Sequence, residues 1–100
     1  MKVIWSKESL ERLIEIEKYI ARDSPDRAVR FINKLIDRAE MISDYPYQGR
    51  IVPEFSLNEI REVILKGYRI VYRIGEGQIE ILTVFEGHQR LKQKDLLKEK

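Results

Sequence analysis

The chain has 100 residues, with 19 Lys and Arg, 17 Asp and Glu, one His and no Cys. One domain spanning 1–100 fits that length, and a chain of this size buries only roughly 60–70% of the surface its unfolded form exposes, so a partner can add to its stability. The composition excludes disulfides, thiolate zinc sites, cysteine nucleophiles and clusters of histidine ligands, so neither a metal nor another cofactor is expected.

No apolar run approaches the ~20 residues that span a bilayer. Met1 to Trp5 is followed by charge again at Lys7, which argues against a leader peptide. The expectation is a soluble, cytoplasmic protein with no membrane partner. The formal net charge of +2 is small, but residues 1–45 hold nine basic and nine acidic side chains, and residues 46–100 hold ten and eight. The excess sits in the second half. It includes Lys92, Lys94, Lys98 and Lys100, set against Asp95 and Glu99. Such a bias permits contact with nucleic acid or an acidic protein, although a solvated helical tail explains it as well.

Lys2 to Trp5 is a short β-prone start. Ser6 is placed to cap a helix whose first turn holds Glu8, where the helix dipole favours negative charge. Apolar residues then recur at Leu10, Leu13, Ile14, Ile16, Ile20 and Ala21 with a helical period. Asp23-Ser24-Pro25 ends this helix and opens the next, with Ser24 as N-cap and Pro25 at the first helical position. The second stripe is Ala28, Phe31, Ile32, Leu35, Ile36, Ala39 and Ile42. So short a connection predicts an antiparallel helical hairpin.

Asp44 to Arg50 reads as a turn-rich loop. From about residue 59 the pattern becomes strands: 60–65, 68–74 and 78–85, joined by Lys66-Gly67 and Gly75-Glu76-Gly77. These are two consecutive hairpins and an antiparallel sheet segment. Tyr68, Ile70, Tyr72 and Ile74 share one face, and Arg69, Val71 and Arg73 the other. The helices are expected to cover the first face and leave the second open to present basic side chains. The first or last strand is the expected sheet edge. Residues 89–100 read as a C-terminal helix or tail.

In order and spacing these segments resemble toxins of the RelE/ParE superfamily, the toxic half of type II toxin–antitoxin pairs. The resemblance runs through Trp5 to Ala21 with Tyr19-Ile20-Ala21, Ser24-Pro25, and Tyr45-Pro46-Tyr47-Gln48-Gly49-Arg50. It continues through Ile60-Arg61-Glu62, Tyr68 to Ile74, and Ile79 to Val84. It implies an α+β fold, with an N-terminal helical hairpin on a small, mainly antiparallel sheet. The long hairpin and the Pro-x-x-Gly-Arg loop are closer to the ParE branch, often labelled plasmid stabilisation proteins. That branch implies binding and inhibition of DNA gyrase, neutralisation by a cognate antitoxin, and a toxin–antitoxin hetero-oligomer. The RelE branch implies instead a metal-independent, ribosome-dependent endoribonuclease acting on mRNA. A third reading is a homologue without toxicity that acts only in the antitoxin complex.

Metal-free cleavage by a 2′-hydroxyl needs a base, an acid and cations around phosphorus. Under the nuclease reading the catalytic candidates are Arg69, which matches the strand arginine of the superfamily's Tyr-Arg-x-Val-Tyr motif, with Arg61 and His88 as helpers. His88 is the only side chain whose ordinary pKa lies near neutrality, and Glu86 is the nearest carboxylate. Members of the RelE branch carry basic residues after the last strand and often a tyrosine near the C-terminus. Here Phe85 to Leu91 has no such set, and no tyrosine follows Tyr72. The acid–base constellation is incomplete, so the enzyme question stays open. For the gyrase reading the target-binding candidates are Arg73, Arg90, Lys92 and Lys94. Each also has an ordinary explanation: exposed strand arginines are common, Arg61 has Glu59, Glu62 and Glu80 within cross-strand reach, and a lysine-rich end is often only solvated.

Overall fold

The structure is a computed structural model that describes residues 1–87. Its elements are β1 (Lys2–Trp5), α1 (Lys7–Ala21), α2 (Pro25–Glu40), β2 (Arg50–Ile51), β3 (Ile60–Leu65), β4 (Tyr68–Gly75) and β5 (Gln78–Glu86). Two 3-10 turns, Met41–Asp44 and Pro46–Gln48, lead from α2 into β2. Both helix starts follow the sequence. The Ser6 hydroxyl accepts from the Ser9 N–H and the Ser24 hydroxyl from the Arg27 N–H, each satisfying a donor that the first helical turn leaves without a partner.

Five strands form one sheet in the order β1-β5-β4-β3-β2. β2, β3, β4 and β5 pair antiparallel, and β1 joins β5 in parallel. The sheet is therefore mixed, and β5 lies inside it: its edges are β1 and the two-residue β2, not the last strand. The β3–β4 turn places Lys66 and Gly67 at φ 48° and 85°. Both central residues of the two-residue loop thus adopt the left-handed backbone that matches strand twist, which explains the glycine.

The helices bury their stripe against Val63, Ile70, Tyr72, Ile79, Ile81 and Val84, with Leu13, Ile16, Leu35, Ala39 and Ile42 from the helical side. Leu10 and Ile14 fall outside it, at 48% and 51% exposure. Glu8, in the first turn of α1, is buried: its carboxylate accepts from the Arg12 Nε at 2.7 Å, while α1 is seated on β5 through the Ser6 hydroxyl, which donates to the Leu82 carbonyl.

The far face of the sheet differs from expectation. It is not open. Val52, Ile60, Val71, Leu82 and Phe85 form a second buried cluster with Phe55 against it, because the chain between β2 and β3 folds across this face. The return begins on the helix side, where the Tyr72 hydroxyl donates to the Pro46 carbonyl at 2.6 Å. It passes the sheet edge as β2 and arrives on the far side at Val52 to Phe55. Burial pushes the Tyr72 phenol above its ordinary value of 10, against smaller opposing pulls from the Gly49 backbone, Arg61 and Arg38. The phenol therefore stays a proton donor. Gly49 sits where the chain passes Tyr72: a Cβ there would land inside the Tyr72 hydroxyl and 2.8 Å from the Glu62 carbonyl oxygen. Gly49→Ala is expected to destabilise the fold by about 1–3 kcal/mol through overpacking. In urea unfolding, adding Tyr72→Phe should recover only part of that loss, because the Glu62 backbone remains in the way.

Candidate functional site

Of the sequence candidates, Arg69, Arg61 and Arg73 lie among the described residues. His88, Arg90, Lys92 and Lys94 lie outside them, as does the segment 89–100. The three arginines do not converge on one point. Each is engaged in a different structural contact.

Arg69 does lie on the face opposite Tyr68 and Tyr72, but it is 4% exposed. Its Nε donates to Glu62 Oε1 at 2.5 Å, and its two terminal nitrogens donate to the Glu54 carboxylate at 3.0 and 2.9 Å. Its guanidinium carbon stands 4.9 Å from the centre of the Phe85 ring, its direct cross-strand neighbour. The two terminal bonds form a fork-on-fork pair, the geometry that suits guanidinium and carboxylate best. The hydrogen bonds to Glu54, and then those to Glu62, hold the Arg69 pKa above its ordinary value, although burial works against the charged form.

Glu62 is fully buried, and its other oxygen accepts from the Arg50 Nε. Arg50 faces Glu62 directly in the β2–β3 register, and Arg69 reaches it diagonally from β4. One buried carboxylate thus joins the edge strand to the central strand, and Glu54 closes the cluster from the loop. Among the described residues, the carboxylates of Glu54 and Glu62 face the guanidiniums of Arg50 and Arg69.

Arg61 alternates with Glu62 along β3 and leaves the strand on the other side. It pairs with none of Glu59, Glu62 or Glu80. Its guanidinium donates to the backbone carbonyls of Tyr47, Gly49 and Asn58 and to Asn58 Oδ1, at 2.6–2.9 Å. It also lies 5.0 Å from the Tyr47 ring centre. It ties together both ends of the return loop. Arg73 pairs with Glu80, directly opposite on β5, at 2.5 Å. Its side chain is about a third exposed, so this pair adds little to stability. Glu86 ends β5 and faces Tyr68 across the β4–β5 pairing. Burial raises the Tyr68 pKa, and the charge of Glu86 raises it further.

The sequence reading passed over Glu54, named Gly49 only within the Tyr45 to Arg50 motif, and did not join Glu62 to Arg69. The usable signal was Glu62 itself. A glutamate between Ile60 and Val63–Leu65 in a central strand needs a buried cation, and the alternation puts it on the Arg69 face.

The architecture is thus a helical hairpin on one face of a five-stranded mixed sheet, with a clamped return loop on the other. The chain matches the model of the ParE toxin of type II toxin–antitoxin systems, parDE, over residues 3–91, and it belongs to that family. It is 35% identical over 91 residues to the protein Y4kP of Sinorhizobium fredii, covering 89% of this chain and 91% of that one. It is 30% identical over 83 residues to Toxin RelE2 of Caulobacter vibrioides, covering 83% and 91%. A structure described as a chromosomal ParDE TA system from P. aeruginosa superposes with a TM-score of 0.73 at 18% identity, over 86% of this chain and 95% of that one. At that identity the likeness establishes the shared fold.

Removing Glu62 tests the cluster. Glu62→Ala removes one carboxylate partner from the buried Arg69 and is expected to cost about 3–5 kcal/mol, measured by urea unfolding. Arg73→Ala should cost less than about 1 kcal/mol.

Proposed function

We propose that this chain is a ParE-type toxin that acts by binding: it inhibits DNA gyrase, and an antitoxin neutralises it. The observation that carries this reading is the state of Arg69. The best candidate for a phosphate-stabilising cation is enclosed by Glu54, Glu62 and Phe85. Transition-state stabilisation needs preorganised charge aimed at the reacting group. The Arg69 charge is aimed at two carboxylates, and presenting it to RNA would require breaking a buried ion cluster. Arg61 is likewise occupied by loop carbonyls. The arginines that would supply nuclease chemistry serve the fold instead, which favours the non-hydrolytic branch of the superfamily.

The antitoxin part of the reading rests on family membership and on size. A domain this small gains stability from any partner that binds only its folded form. The cytoplasm is the compartment of both partners in this reading, and no helix among the described residues is long and apolar enough to cross a membrane.

Purified gyrase tests the reading. With the chain added, negative supercoiling of relaxed plasmid should fall in a dose-dependent way, and translating ribosomes should show no new mRNA cuts. Arg69→Lys, if its melting shows it folded, should inhibit gyrase as well as the parent chain does. Cuts on ribosome-bound mRNA that vanish with Arg69→Lys, together with unaffected gyrase, would overturn the proposal in favour of the endonuclease.

A further inference from the structure

A groove of about 400 Å³ runs between the start of α2, the end of α1 and the β3–β4 turn. Every charged residue lining it is a cation: Arg27, Arg30, Lys34 and Lys66. The first three follow one another at i, i+3 and i+7, so they stand along one stripe of α2 over roughly 10 Å. Lys66 joins them from the hairpin turn. All four are exposed, and among the described residues none of their side chains forms an ion pair with a carboxylate. Arg50, Arg69 and Arg73, by contrast, are paired with carboxylates inside the fold. Like charges one turn apart disfavour a helix, so this stripe works against the fold until an anion meets it.

The make-up of the groove says which anion. Protein–protein interfaces are depleted in lysine, whereas surfaces that meet nucleic acid are much more positive. The groove's aromatic residues separate a duplex from a single strand. Phe31 and Tyr68 are half-buried and pack on each other, ring centres 5.2 Å apart and planes tilted by 55°. A single-strand site presents open ring faces on which bases stack. Here the rings meet one another. They supply instead a low-dielectric wall beside the cations, which concentrates the positive field in the groove. Without a stacking platform, the contact is to phosphates, which positions a protein on a duplex and reads no sequence. A stripe of roughly 10 Å matches about three steps along one strand of a duplex, at about 3.4 Å of axial rise each. We propose that this groove seats the phosphate backbone of duplex DNA, the duplex that gyrase holds. The assignment rests on the gyrase reading above and adds to it that the chain touches the DNA as well as the enzyme, and with which side chains.

The purified chain is titrated against a short labelled DNA duplex at several salt concentrations, and its inhibition of gyrase is measured on relaxed plasmid. Four phosphate contacts predict that log affinity falls with log salt at a slope of about −3 to −4. Arg30→Gln/Lys34→Gln should bring that slope to about −2 and weaken duplex binding at low salt by about tenfold or more. The concentration that half-inhibits gyrase should rise with it. Arg27→Gln/Lys66→Gln repeats the test should the first pair fail to melt cooperatively. Lys7→Gln, a cation remote from the groove, should keep both readouts within about twofold of the parent. Parent-like duplex binding and gyrase inhibition in both groove variants would overturn the assignment and leave the gyrase reading standing. Inhibition by a parent chain that binds no duplex would do the same. A parent chain without effect on gyrase would overturn that reading, and this one with it. Labelled oligothymidylate bound more tightly than the duplex, and lost in the groove variants, would reassign the cations to single strands. Duplex binding intact in variants that no longer bind the antitoxin would reassign them to a protein partner.

Discussion

A single buried carboxylate holds the far side of this protein together. Glu62 accepts from Arg50 at the sheet edge and from Arg69 in its centre, and Arg69 in turn grips Glu54 on the return loop. Without these bonds a two-residue strand and the loop that follows it would have little to keep them on the sheet. The second apolar cluster beneath them is small. Buried ion pairs are weak sources of net stability, because desolvation offsets their attraction. Their effect here is selective: any other placement of the loop strands a buried charge. The Tyr72 hydroxyl on the Pro46 carbonyl performs the matching task on the helix side. The loop is thus fixed at both faces of β4 while it rounds the edge of the sheet.

This constraint bears on function. The Tyr-Arg-x-Val-Tyr segment, whose Arg69 invites a catalytic interpretation, and the Pro-x-x-Gly-Arg segment are two halves of one structural clamp. Arg69 and Tyr72 belong to the first, and Pro46, Gly49 and Arg50 to the second. Cations available to a partner lie elsewhere, along α2 and at the β3–β4 turn. A protein built this way commits Arg50, Glu54, Glu62 and Arg69 to its own architecture. That commitment supports the proposed action by association.

Much of the fold was legible in the sequence because it follows local rules. Ser24-Pro25 fixed one helix start, the 3.6-residue period of α2 marked its buried face, and the Lys66-Gly67 turn set a hairpin register. The alternation in β4 correctly separated Tyr68, Ile70 and Tyr72 from Arg69 and Val71. What escaped depends on contacts far apart in the chain. β2 has only two residues, and its strand character comes from pairing with β3 rather than from its own propensity. The covering of the far face could not be inferred from periodicity, since residues 52–58 have none. Glu54 and Arg69 are fifteen residues apart and meet only after the loop has turned back. The environment of Arg69 was therefore hidden even though its position on the strand was plain. Leu10 and Ile14 fit the helical period yet remain half exposed, because α1 offers more apolar surface than the sheet can cover.

The most direct test of a toxin that acts by binding is the order in which syntheses fail. The chain is induced alone, and labelled thymidine and labelled methionine incorporation are followed through the first minutes. The account predicts that DNA synthesis falls first while protein synthesis continues. Protein synthesis falling first would contradict it and return Arg69 to the centre of a catalytic site.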